Sequence, residues 1–342
     1  MNFLEVLLEY TRSSRFKSAL GLPDDAELSL TPLGQGEYNI NYSFFHFVTG
    51  QRLVLRVNTG SQMHLDDQIG YEYAALRTLI PSGRTPHPLY CDGTRDLLPY
   101  GVLVMEWLPG RPLCYQTDLP AAAAILADIH SLPVAADCPL LTPTAPLRSI
   151  YEECLSMAEQ YFSWEGAQPE TAALLHTLIR EIGTLPLSSP APFRCITNTE
   201  LNSGNFLINE GKTSYLVDWE KPLLSEPAQD LGHFLVPTTT YWKTDTILSP
   251  QEIAEFVRLY TAAVAGRRDC TFLRERLPLF FTVTCLRGVT WCAMALREYS
   301  TPGRPLTNDY TLNKIKTYLQ PDFLRNILEN YIRRDFLRGC GL

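Results

Sequence analysis

Two kinds of periodicity divide the chain. Residues 28–33 (LSLTPL), 40–48 (INYSFFHFV) and 53–57 (LVLRV) are rich in β-branched and aromatic residues and read as strands. Thr49-Gly50 lies between the last two, a hairpin signal. Over 66–80 the apolar positions Ile69, Tyr73, Leu76 and Ile80 shift to helical spacing. After a loop carrying Pro81, Pro86, Pro88 and Gly93, strands are predicted at 88–91 and 101–108. From there the pattern is mainly helical, with helices expected over 119–131, 148–165, 169–183, 250–265 and 272–298. Pro120 suits the first turn of the first of these. Between them, Asn205–Ile208 and Tyr215–Val217 read as short strands separated by Asn209, Gly211 and Lys212. The expected fold class is α+β: an antiparallel-sheet N-terminal lobe with one helix over 1–105, and a larger, mainly helical lobe over 106–342.

Composition narrows the functional classes. The 342 residues are 45% apolar and 19% charged, an ordinary globular balance with ample material for a core. The net charge of −8 argues against a nucleic-acid partner, which calls for a basic surface. The nine cysteines are scattered and form no CxxC pair, so neither a disulfide framework nor a zinc site is expected and a reducing cytoplasm fits. Glu5 and Glu9 interrupt the N-terminal apolar run, unlike a signal peptide. No uncharged apolar stretch approaches the roughly 18–20 residues of a membrane helix, and no membrane partner is expected.

Three features carry chemistry. Gly34 and Gly36, in LGQGE, lie between two strands, where glycines let the backbone amides approach a phosphate. Asn39 stands where a third glycine would complete the GxGxxG pattern. Arg56 on the LVLRV strand and Glu72 on the following helix come next, in the order kinases use to hold a cation against the α- and β-phosphates. Taken singly, both are ordinary surface residue types.

The richest stretch is Asn198-Thr199-Glu200-Leu201-Asn202-Ser203-Gly204-Asn205, followed by Leu216-Val217-Asp218-Trp219-Glu220. A carboxylate, an Asn five positions on, a strand, a turn, a strand and a second carboxylate form a metal-phosphate arrangement. Asn205 and Asp218 offer the hard oxygen ligands that magnesium prefers, and Glu200 is placed to accept or orient the proton of an attacking hydroxyl.

In this order the chain resembles the aminoglycoside phosphotransferase and choline kinase superfamily, with its protein-kinase-like fold. The resemblance rests on LGQGEYN (33–39), LVLRV (53–57), YEYAAL (71–76), LVMEWLPGRPL (103–113), LADIHSLP (126–133), NTELNSGNFLI (198–208), LVDWE (216–220) and EPAQDLGHF (226–234), and it covers about residues 30–235. It implies ATP and Mg2+ as cofactors and a small-molecule hydroxyl acceptor. ATP would lie in the cleft between lobes, with Gly34 and Gly36 over its phosphates and Arg56 paired with Glu72. Val104 to Trp107, including Glu106, would form the hinge against the adenine edge. Asp230 would brace the catalytic loop, and His130 would pack and cap a helix end.

One departure matters. The family's catalytic loop usually reads His-x-Asp-x-x-x-x-Asn, and here Asn198 and Glu200 stand in the first two places. An added methylene moves a carboxylate by roughly 1 Å, a misplacement that can cost about 100-fold in rate. Two readings follow: a kinase whose backbone has adjusted to Glu200, or a nucleotide-binding, pseudokinase-like module with little phosphotransfer. The acceptor is not legible. Glu152, Glu153 and Glu298 could meet a cationic amine, and Tyr161, Trp164, Trp242 and Trp291 could stack on a sugar or an ammonium group, but solvated helix faces and core packing explain these residues as well.

Overall fold

The strand runs build a five-stranded antiparallel sheet in the order β1-β2-β3-β5-β4. Its members are β1 (Thr31–Gln35), β2 (Asn39–Phe45), β3 (Arg52–Asn58), β4 (Pro88–Asp92) and β5 (Gly101–Glu106). The computed structural model describes residues 3–36, 38–61, 63–301 and 308–333. They fall into two compact units. The sheet unit takes Met1–Arg111, Ala135–Leu140 and Leu207–Pro222; the helical unit takes Pro112–Val134, Leu141–Phe206 and Leu223–Leu342. The expected α+β class is the one observed.

In the sheet unit, Gly50 turns the β2–β3 hairpin at φ 66°, a left-handed conformation that favours glycine. β3 lies at the centre of the sheet and is buried on both faces. By strand alternation Leu53, Leu55 and Val57 share one face, which packs into a core with Leu7, Tyr10, Phe16 and Phe44. Arg56 points to the other face. Helix α3 (Gln68–Leu79), capped by Asp67 accepting the Gly70 amide at 2.9 Å, brings Glu72 to that face.

The expectation of one helix here is corrected. α1 (Phe3–Arg12) and α2 (Ser14–Leu20) precede the sheet. Glu5 and Glu9 face solvent on α1, while Leu7 and Tyr10 are buried, so the charges that break the linear apolar run belong to an amphipathic helix.

The helical unit contains α4 (Leu119–His130), α5 (Pro146–Phe162) and α6 (Pro169–Ile182), all within three residues of expectation. A two-stranded ladder pairs β6 (Cys195–Thr197) with β9 (Leu223–Ser225). Between them in the chain the predicted strands shrink to β7 (Phe206–Leu207) and β8 (Tyr215–Leu216), of which β8 belongs to the sheet unit. There follow α7 (Pro227–Leu235), α8 (Pro237–Lys243), α9 (Pro250–Val264), α10 (Leu273–Tyr299), α11 (Asp309–Tyr318) and α12 (Pro321–Asn326). Helix α10 is long and apolar enough to cross a membrane by length and composition. In this fold it is a core helix, packed along α5 and α7, with Phe280, Phe281, Leu286 and Val289 buried.

Candidate active site

Two constellations form, one in each unit. In the sheet unit, Arg56 is buried and its Nη1 lies 2.6 Å from Glu72 Oε1 and 3.1 Å from Asp218 Oδ1. Its Nε donates to Asn41 Oδ1 at 3.0 Å, across the β2–β3 register. Burial opposes the charge on Arg56, but Glu72, then Asp218 and Glu220, outweigh it and raise its pKa. Burial raises the Glu72 pKa despite the partner, and its Oε2 is buried with no hydrogen-bond partner among the described residues. Removing either residue would strand a charge in the interior, so the pair is a strong local constraint.

Asp218 lies just beyond β8 with φ 65°, an uncommon conformation for a non-glycine residue. Trp219, almost fully buried, holds the turn by donating its indole N–H to the Leu216 carbonyl at 3.0 Å. Glu220 is fixed as well. Asn39 donates to its carboxylate, Asn58 donates to Asn39 Oδ1 at 3.0 Å, and Gln68 donates to the Glu220 carbonyl at 2.7 Å. Asn39, the residue in place of the third glycine, therefore ties the sheet to the LVDWE turn. Nothing in the local sequence marks that role.

Gly34 and Gly36 sit at the end of β1 and just after it. A Cβ on Gly34 would meet nothing within 4 Å, and one on Gly36 only the Asn39 carbonyl at 3.8 Å. Neither has a positive φ. Internal packing thus requires glycine at neither position; the Gly36 amide donates to the Asn39 carbonyl at 2.8 Å, and Gly34 pairs with Asn41 in the β1–β2 ladder. At the predicted hinge the Glu106 amide donates to the His87 carbonyl at 2.9 Å, and the Trp107 amide to the Arg52 carbonyl at 3.3 Å. The Arg52 guanidinium covers the Trp107 ring at 4.4 Å. Both amides are thus engaged within the unit.

In the helical unit the loop after β6 is held by its backbone. Asp230, fully buried on α7, accepts the Asn198 and Thr199 amides, each at 2.8 Å. His130 Nε2 lies 3.2 Å from the same carboxylate and its Nδ1 2.9 Å from the Tyr260 hydroxyl. This clamp holds Thr199 at φ 69°, a strained value for a β-branched residue. The Asn198 side chain accepts the Glu200 amide at 3.0 Å, and Asn205 Nδ2 donates to the Glu200 carbonyl at 2.7 Å. His233 Nδ1 accepts the Leu201 amide at 3.1 Å, a role invisible in the spacing of the histidines. Glu200 is thus fixed through its own peptide groups and both neighbours. The Asn205 amide nitrogen is committed, which leaves Oδ1 as the atom to offer a cation.

The acceptor candidates separate. Glu152 pairs with Arg148 at 2.8 Å on an exposed helix face. Glu153 accepts from Arg287 Nε at 3.1 Å. Trp242 and Trp291 meet edge to face at 5.4 Å, and Tyr161 and Trp164 at 6.0 Å.

The model of the phosphotransferase enzyme family matches residues 29–273, more than two thirds of the chain. The chain belongs to that family. Among solved structures, the phosphotransferase is similar to choline kinase from Cryptosporidium parvum Iowa II, at 13% identity and TM-score 0.63, over 99% of this chain and 100% of that one. A spectinomycin phosphotransferase solved with ADP and spectinomycin aligns over 99% and 98% at 15% identity and TM-score 0.59. Plasmodium vivax ethanolamine kinase aligns over 86% and 82% at 15% identity and TM-score 0.60. No curated protein matches in sequence. At these identities the likeness establishes the protein-kinase-like fold. The family match establishes a phosphotransferase of the small-molecule kinase kind.

Proposed function

We propose that the phosphotransferase moves the γ-phosphoryl group of ATP to a hydroxyl of an amino sugar, an amino alcohol or a similar small metabolite. The observation that carries this reading is the buried Arg56–Glu72 pair, with Asp218 on the same guanidinium. A cation fixed on the central strand by a helix carboxylate suits the α- and β-phosphates. Gly34 and Gly36 would let the strand turn lie close above them, with no side chain in the way. The adenine edge would meet backbone groups of Val104 to Trp107 other than the committed Glu106 and Trp107 amides.

The donor set fits magnesium. Asp218 and Glu220 offer carboxylate oxygens within 4.8 Å of each other, and Asn205 offers an amide oxygen. Asn205 and Asp218 would hold the ion, which when bound neutralises charge on the transferring phosphoryl group. Glu200 would accept the acceptor's proton as its oxygen bonds to phosphorus; the bond to the bridging oxygen breaks and ADP leaves. The clamp on the loop backbone supports an active Glu200. Asn198 accepts the Glu200 amide, which supports an ordered Glu200 in the absence of the family's histidine. A reducing, cytoplasmic setting is part of the proposal, on the scattered cysteines with no CxxC pair.

Thermal unfolding with and without Mg·ATP tests the site. At 100-fold excess over Kd, binding should add about 2.7 kcal/mol, and Asp218→Ala should weaken the magnesium-dependent part. Protection without any ADP release would favour the nucleotide-binding module instead. No protection at millimolar Mg·ATP would remove the nucleotide site altogether.

A further inference from the structure

The family match ends at residue 273, and α10 continues beyond it with Arg287 in its middle. Arg287 is a mostly buried cation whose Nη2 lies 4.0 Å from Glu200 Oε1 and whose Nε donates to Glu153 Oε2 on α5 at 3.1 Å. We propose that Arg287 is a positioning residue for Glu200. The inference rests on the reading of Glu200 as the proton acceptor.

Glutamate has one more rotatable bond than the aspartate usual at this place, so fixing its peptide groups leaves its carboxylate freer than a shorter side chain would be. The backbone is held by Asn198, Asn205 and Asp230, but those bonds end at the peptide. Arg287 acts at the carboxylate end of the side chain. Burial opposes its charge, and Glu153 and then Glu200 outweigh that cost, which raises its pKa and keeps it cationic. Glu153 fixes the guanidinium from α5, and the α5–α10 packing fixes the distance between the two helices. The extra methylene of Glu200 and the cation on α10 form one device: the longer arm reaches toward a charge that holds it.

The test is a double-mutant cycle on ADP release from Mg·ATP. Choline, ethanolamine, spectinomycin and water alone serve as acceptors. Arg287→Met should lower kcat about 100-fold, leave KM for Mg·ATP within about twofold and preserve the thermal protection by Mg·ATP. Arg287→Lys should recover part of the loss. In a Glu200→Gln background Arg287→Met should cause no further loss, because its effect passes through that carboxylate. Should Arg287→Met fail to fold, Arg287→Lys carries the same cycle with a smaller expected loss. Unchanged kcat in both Arg287 variants, or a loss that adds fully to that of Glu200→Gln, overturns the proposal. Full turnover by Glu200→Gln, or no ADP release by wild type with any acceptor, overturns instead the reading on which it rests.

Discussion

Asp230→Asn separates the clamp on the catalytic loop from the chemistry of the loop. The carboxylate accepts two amides at 2.8 Å, one on each oxygen, from Asn198 and Thr199. Asparagine keeps the shape but has one acceptor oxygen, so one of those amides would face an NH2 group. The loss is one hydrogen bond to a charged group, worth about 1.5–3 kcal/mol, plus a buried unsatisfied donor at about 1–3 kcal/mol. The expected destabilisation is about 3–5 kcal/mol, in line with the breaking of a buried charged network. For a domain of this size that lowers Tm by roughly 6–12 °C. Thr199 at φ 69° adds a second effect. Strain of about 1–3 kcal/mol is released once the clamp weakens, and the peptide of Glu200 moves with it. Urea unfolding followed by tryptophan fluorescence measures the first effect, and ADP release at a temperature where the variant is folded measures the second. Turnover should fall by much more than the unfolded fraction. An unfolding free energy within about 0.5 kcal/mol of wild type would refute the reasoning, because a fully buried acceptor of two amides cannot be replaced that cheaply.

Two further outcomes follow from the sheet unit. Arg56→Met strands the Glu72 carboxylate and should cost about 3–5 kcal/mol; adding Glu72→Met should restore most of the stability but none of the protection by Mg·ATP, as read by thermal unfolding. Asp92 is buried, and although burial opposes its charge, hydrogen bonds from Thr94 and Tyr10 and the Arg15 guanidinium hold its pKa down at about 2. The folded value lies below the unfolded one of about 3.9, so this contribution of roughly 2 kcal/mol is present above pH 4 and lost as the pH falls toward 2. Acid titration of unfolding should show that slope in wild type and lose it in Asp92→Asn.

Local periodicity sufficed for the elements that depend on it. The alternation over 40–48 and 53–57 became β2 and β3, and the 3.6-residue spacings became α3 to α6, α9 and α10 to within three residues, because each pattern reports which face of one segment avoids water. The order of the motifs was enough to name Arg56, Glu72, Glu200, Asn205 and Asp218, since each is a chemical type at a place in the chain. The resemblance also paired Arg56 with Glu72, but tertiary structure alone decided the remaining partners. Asp218 meets Arg56 across 162 positions, and Asn39 reaches Glu220 across 181. His233 closes the loop at Leu201 across 32, and Arg287 approaches Glu200 from a helix beyond the last motif. No local period encodes such pairs. They follow from how α3, α7 and α10 pack, and an isolated Asn, His or Arg gains its meaning only when burial removes water as the competing partner.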